Sequence, residues 1–234
     1  MSGRRAVPTA CKQVTTCTHA PRSDRVILVM DARDALIEAA LKVFADLGSR
    51  GATTRRIAQA ADVNEVTLFR LFRSKDDLIH AALQEFARRI QTRTLPDHPV
   101  DPRAELVEWC RAHHRNLHKH RSLIRKAMGE HEEHPTHSAC GLNASIRIAD
   151  ELTDYLRRLK RDGFATGEWD ERAATNTLMG AIFGDAMGRD TMPERYPYTM
   201  REAVEHYVDL LLKGIGATGS PAPTGPSLER GTTR

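Results

Sequence analysis

Between Thr53 and Leu78 the chain reads TTRRIAQAADVNEVTLFRLFRSKDDL, and this stretch limits the possible folds more than any other. It holds two apolar rhythms of helical spacing, Ile57-Ala58-Ala61 and Leu68-Phe72, each roughly two turns long. Helices that short are marginal in water on their own, so neighbouring elements must brace both. Thr53 or Thr54 can cap a helix running to about Ala60, and Asn64 a second over 65–72, with Asp62-Val63 as the turn between them. Ser74, with Asp77 three residues on, reads as a capping box. It opens a long helix through about Arg93 that carries Leu78, Ala82, Leu83, Phe86 and Ile90.

The rest of the chain follows the same period. Leu36, Ala40, Val43, Phe44 and Leu47 make one stripe of a helix over 31–47, and Gly48 stands where a helix end favours glycine. Leu95-Pro96-Asp97-His98-Pro99 interrupts the pattern. Further helices are predicted at 102–118, 121–130, 137–162, 170–188 and 200–214, with Pro135, Gly163 to Gly167 and Pro193/Pro197 at the breaks. No segment alternates as a strand does. The fold class is therefore all-α. Residues 30–95 form a three-helix helix-turn-helix domain with its linking helix, and 96–216 form a second helical domain. Residues 1–29, without sustained periodicity, read as a disordered basic arm. Residues 217–234 read as a flexible Pro/Gly/Ser/Thr tail. Ordered patterning begins near Met30, which makes that residue an alternative start.

Composition narrows the function. No apolar run approaches the roughly 18 residues needed to cross a bilayer, and the apolar run Val26 to Met30 is too short for a signal-peptide core. A soluble, cytoplasmic, nucleoid-associated protein with no membrane partner is expected. Its four dispersed cysteines are expected to stay reduced. The formal charge of +4 is uneven: residues 1–30 carry +4, 31–95 carry +2 and 96–234 carry −2. Within 53–75 five cations face only Asp62 and Glu65. A chain that is basic toward one end suggests a polyanion partner for that end.

Two short helices joined by a tight turn and braced by a third make a helix-turn-helix, whose second helix fits the major groove of DNA. Val63, Leu68 and Phe72 suffice for its buried side, which leaves Thr67, Phe69, Arg70 and Leu71 outward. Taken alone, Arg55, Arg56, Arg70 and Arg73 would be a solvated charged face. The fixed spacings say more. Ala39-Ala40, Phe44, Gly48, Thr53-Thr54, Ile57-Ala58, Val63, Thr67-Leu68-Phe69, Phe72 and Lys75 stand in a pattern that resembles the N-terminal domain of TetR/AcrR-type transcriptional regulators over about 50 residues. The resemblance implies that Thr54 and Lys75 hold phosphates and that Arg55 reaches a phosphate or a guanine edge. It also implies that Thr67 and Phe69 lie at the DNA face, with Asn64, Glu65 and Val66 at the N-terminal end of the reading helix; Arg70, on the outward side, is a further DNA-contact candidate. Three positions depart from the family pattern. Phe69 replaces a usual Tyr and loses a phosphate hydrogen bond. Asp62 replaces a usual Gly in the turn. Leu71 replaces a common His and offers an apolar contact to a thymine methyl.

For the second domain the resemblance implies dimerisation and a small-molecule effector. Small residues Thr177, Gly180, Ala181, Gly184 and Gly188, with Val204, Tyr207, Val208 and Leu211, are the candidate dimer interface. Close packing within one subunit is the alternative for the glycines. Phe86, Ile90, Trp109, His113, Leu117, Met128 and Phe183 are the candidate ligand pocket, and ordinary core is their alternative. The expected partners are a palindromic double-stranded operator, a second copy of the chain and an effector, with no cofactor. Seven of eleven histidines fall between His113 and His137, flanked by Cys110 and Cys140 and with Glu130, Glu132 and Glu133 inside. Their i, i+4 pairs Cys110/His114 and His114/His118 allow a metal-responsive regulator as an alternative. A metal-dependent hydrolase is a further class, but neither HExxH nor paired CxxC spacing occurs. An effector-free architectural DNA binder is the third.

Overall fold

The computed structural model describes residues 22–90 and 94–217, with side chains from residue 32 onward. Among the described residues it is all-α, apart from an isolated bridge between Ala165 and Ala217. The helices are α1 (Arg22–Gly51), α2 (Thr54–Ala60), α3 (Glu65–Leu71), α4 (Lys75–Arg89), α5 (Pro102–Lys119), α6 (Arg121–Gly129), α7 (Pro135–Arg161), α8 (Glu171–Gly188) and α9 (Met200–Gly214).

Helix α1 starts at Arg22 rather than near residue 31, so residues 22–29 of the expected arm are helical. Arg25 to Met30 contain neither Pro nor Gly, and nothing local stops the helix there. The remainder of the arm and the tail from residue 218 lie outside the described residues. Gly48 (φ 69°) kinks the end of α1, a left-handed conformation that glycine adopts without steric cost. The predicted caps form. The Thr53 side chain accepts from Arg56 N–H (3.3 Å), Asn64 from Val66 N–H (2.9 Å) and Ser74 from Asp77 N–H (3.0 Å). A capping box with both halves closed is made by Thr199 and Glu202 at α9.

Helix α4 ends at Arg89 rather than near Arg93, with Ile90 as its cap. The chain must leave the helix here because Leu95 is buried in a different core, where its N–H donates to Glu151 Oε1 (2.8 Å). Two cores result. The first gathers Leu36, Phe44, Ile57, Leu68 and Leu78, each at most 1% exposed, and takes Leu123 from α6. Burying each such side chain stabilises the fold by about 1.5–3 kcal/mol. The second gathers Trp109, Leu152, Tyr155, Leu156, Ile182 and Val208 from α5, α7, α8 and α9. The two units meet where α1 packs on α6 and α4 on α7.

Candidate nucleic-acid interface

Helix α3 is anchored on one side and bare on the other. Leu68 is fully buried, and Phe72, just past the helix, is 7% exposed. Val66 and Phe69 stand 73% and 53% exposed, three residues apart on one face. Arg70 shares that face and is exposed. Asn64 caps the helix and Thr67 is half-buried beside it. Leu71 does not reach this face: it is half-buried against the first core, which corrects its expected contact with a thymine methyl. The turn before α3 holds Asp62 at φ 52°, the non-glycine residue with positive φ among those described. A short polar side chain tolerates that conformation better than most.

The cations divide into tied and free. Arg56 donates to Gly51 O (2.9 Å) and Arg50 makes a two-pronged pair with Glu133 (3.0 and 3.1 Å). Arg55, Arg70 and Arg73 are exposed, with no ion-pair partner among the described residues. Thr54 donates its hydroxyl to the Glu65 carboxylate, which joins the start of α2 to the start of α3. Lys75 Nζ donates to Ser49 O (2.8 Å). Each of these two expected phosphate ligands thus has a protein partner, for Thr54 at the start of α3 and for Lys75 at the end of α1.

Beside Lys75 is a contact that no sequence pattern announces. Glu130, from the α6–α7 turn, accepts the Ser49 N–H through Oε1 (2.8 Å), and its Oε2 is buried without a partner among the described residues. Ser49 therefore links a carboxylate from the α6–α7 turn to the Lys75 ammonium. The residues are 81 apart in the chain, and only the folded packing of α6 on α1 brings them together.

The candidate ligand pocket does not assemble as one cavity. Trp109 and His113 are 1% and 4% exposed, with their rings stacked 5.7 Å apart in the second core. Burial lowers the His113 pKa to about 4, so the ring is neutral near pH 7. Leu117 packs against the same core, Phe183 is half-buried and Met128 is 55% exposed on α6. Phe86 and Ile90 alone of the seven line a recess, of about 360 Å³, between the two units.

The candidate dimer residues also separate. Val204 and Val208 are fully buried in their own subunit's core. Gly188 lies under Tyr196: a Cβ there would sit 2.6 Å from the ring. Gly184 faces the Tyr196 hydroxyl, and Tyr207 donates to Asp185 Oδ2 (2.9 Å). Thr177 and Gly180 are exposed. Thr177, Ala181, Tyr207 and Leu211 line a shallow apolar groove between α8 and α9, with Leu210 71% exposed at its edge.

Among the described residues no group of three or more His, Cys, Asp or Glu side chains is placed to hold a metal ion. Cys110 is buried in the second core, which pushes its thiol up to about 12. His114 Nε2 is bonded to the buried Asp185 carboxylate (2.7 Å). The i, i+4 ladder of Cys110, His114 and His118 therefore serves packing and a polar network, and the metal-responsive alternative has no site among these residues.

Residues 36–82 match the family model described as bacterial regulatory proteins, tetR family. The chain is 27% identical over 188 residues, 78% of its length and 96% of the relative's, to the uncharacterized HTH-type transcriptional regulator YvkB of Bacillus subtilis (strain 168). Its fold is similar to that of the fatty acid degradation regulator FadR from Bacillus halodurans. That similarity has a TM-score of 0.60 at 21% identity and covers 80% of this chain and 97% of the other. The TetR family transcriptional regulator PfmR from Thermus thermophilus aligns with a TM-score of 0.54 at 20% identity, covering 76% and 97%.

Proposed function

Because residues 36–82 match the model of the tetR family of bacterial regulatory proteins, we propose that the protein is a sequence-specific repressor. In this reading it binds a palindromic operator as a homodimer and leaves it when a small-molecule effector binds. The observation that carries the reading is the bare face of α3. Val66 and Phe69 are large apolar side chains held out in water with Arg70 beside them. A helix whose outer face offers apolar and guanidinium groups suits thymine methyls and guanine edges in the major groove. Arg55 and Lys75 supply phosphate contacts, with Thr54 released from Glu65 to do the same. The operator's two-fold symmetry is matched by two copies meeting through the α8–α9 groove, where Leu210 would be covered. The contact of α6 with α1, closed by Glu130 on Ser49 beside Lys75, gives effector and DNA sites a shared element through which each biases the other.

The test is fluorescence anisotropy with DNA from directly upstream of the protein's own gene against scrambled DNA, over a salt series. Selective binding that weakens with salt, and further with Arg55→Ala and Lys75→Ala, supports the reading. Equal binding to both DNAs would favour an architectural role.

A further inference from the structure

The recess between the two units has a composition that points to a ligand class. Its floor is apolar: Leu41 and Ala45 from α1, Phe86 and Ile90 from α4, and Leu123 from α6. Its rim is cationic. Lys42 stands on α1 and Lys119 on α5, both exposed and neither with an ion-pair partner among the described residues. Arg89 lies at the same rim, held by Glu85 (2.8 Å) and Glu38. With Glu38 thus neutralised by Arg89, the two lysines leave the mouth positive. The His120 ring closes one side, edge-on to Phe86 with centroids 4.7 Å apart. Burial and the adjacent Lys119 hold His120 below the usual histidine range, so its ring is uncharged near neutral pH. The volume of about 360 Å³ lies within the range of small-molecule pockets, about 300–1,000 Å³.

We infer that this recess is a binding site for an amphipathic organic anion, its apolar body on the Phe86–Ile90 floor and its acid group between Lys42 and Lys119, and that such an anion is an effector of the protein. A positive mouth draws an anion in, and an apolar floor selects one with an apolar body over a bare inorganic ion. The position gives the site its regulatory reach. Its walls come from α1 and α4, which carry the first core and α3, from α5, which belongs to the second unit, and from α6, which bridges the two with Leu123 in the first core. Helix α6 is itself tied to the turn just past α8 through Arg121 and Asp190 (2.8 Å). A molecule that fills the recess spaces α1 and α4 from α5 and α6, and so favours one orientation of the reading helix over another. The effector role rests on the repressor reading above; the binding does not.

The test uses the full chain and the fluorescent sulfonate 8-anilinonaphthalene-1-sulfonate, with the uncharged N-phenyl-1-naphthylamine as its neutral counterpart. One sulfonate per chain is expected. The double variant Lys42→Glu, Lys119→Glu should weaken the sulfonate by about tenfold or more and leave the neutral amine within about twofold. Ala45→Trp, which fills the floor, should remove both, and circular dichroism checks that each variant folds. Sulfonate binding that neither substitution changes would overturn the site. So would a charge reversal that weakens both probes alike. The sulfonate is then titrated into the complex with upstream DNA. Release from the wild type but not from the double variant is expected, and binding in the recess without release would overturn the effector role. A protein that binds no DNA even without probe would refute the repressor reading, while the probe titration would still decide the site.

Discussion

Replacing Asp185 by Ala should unfold the second helical unit far more readily than its small change in volume suggests. The carboxylate is fully buried on α8. It accepts from His114 Nε2 on α5 (2.7 Å), from Arg189 Nε and Nη2 (2.9 and 2.7 Å) and from the Tyr207 hydroxyl on α9 (2.9 Å). Burial alone would raise its pKa, yet the bonds from Arg189, His114 and Tyr207 outweigh that and hold it below the usual carboxylate range. Burial also lowers His114 against the opposing pull of Asp185, so a neutral imidazole donates here. Alanine would leave the Arg189 guanidinium, 17% exposed, without its counter-ion and strand two further donors. Removing one partner of a buried ion pair costs about 3–5 kcal/mol, and this loss should dominate. Tyr207→Phe removes one donor and leaves the other bonds in place, so a loss of about 0.5–1.5 kcal/mol is expected. Urea unfolding followed by circular dichroism at fixed protein concentration measures both. An Asp185→Ala protein within about 1 kcal/mol of wild type, or a Tyr207→Phe loss as large as the alanine loss, would refute the network as an organising element of α5, α8 and α9.

Burial of His113 makes an acid-sensitivity prediction. Its folded pKa of about 4 lies below the ordinary 6.5, so between those values the unfolded chain binds a proton that the folded chain refuses. Stability is lost as pH falls through that window, by up to roughly 3 kcal/mol from this group. His113→Phe, which keeps a ring against Trp109, should flatten the dependence of unfolding free energy on pH between 6.5 and 4, and an unchanged slope would exclude His113 as its source. Glu130→Ala removes the acceptor of the Ser49 N–H, and a loss of about 1.5–3 kcal/mol with faster hydrogen exchange at the Ser49 amide is expected; exchange unchanged from wild type would mean the contact does not hold the two units together. Leu210→Glu places a charge on the exposed edge of the α8–α9 groove and should shift a dimer to monomers in sedimentation velocity. An undisturbed dimer would put the interface elsewhere.

Local features were legible in the sequence wherever a short-range rule decides the structure. Thr53, Asn64 and Ser74 cap helices because each hydroxyl or amide needs only the N–H two or three residues on. Asp62 turns the chain and Gly48 kinks the end of α1 for equally local reasons. Features that depend on what covers a face were not legible. Val204 and Val208 have the apolar spacing of an interface, but a neighbouring helix of the same chain covers them. Gly188 has the same spacing as Gly180 and Gly184, yet Tyr196 fills the space above it and leaves Gly180 open. Trp109 and His113 share their chemistry with Phe86 and Ile90, but they stack inside the second core, whereas Phe86 packs on the first core and lines the recess with Ile90. The recess with Lys42 and Lys119 at its rim, and the Glu130 contact on Ser49, join residues about 80 positions apart that no periodicity relates.

In the function proposed above, the bare face of α3 reads DNA sequence as one of a symmetric pair. Selection of binding sites by the full chain from a random double-stranded pool addresses this without knowledge of the operator. The expected result is an enriched inverted repeat whose half-sites lie about one helical turn, or a multiple of it, apart. The variant Val66→Ala, Phe69→Ala should lose or change preference at positions within each half-site while retaining salt-dependent binding. No enriched sequence, or an enriched repeat that the variant leaves untouched, would contradict the account.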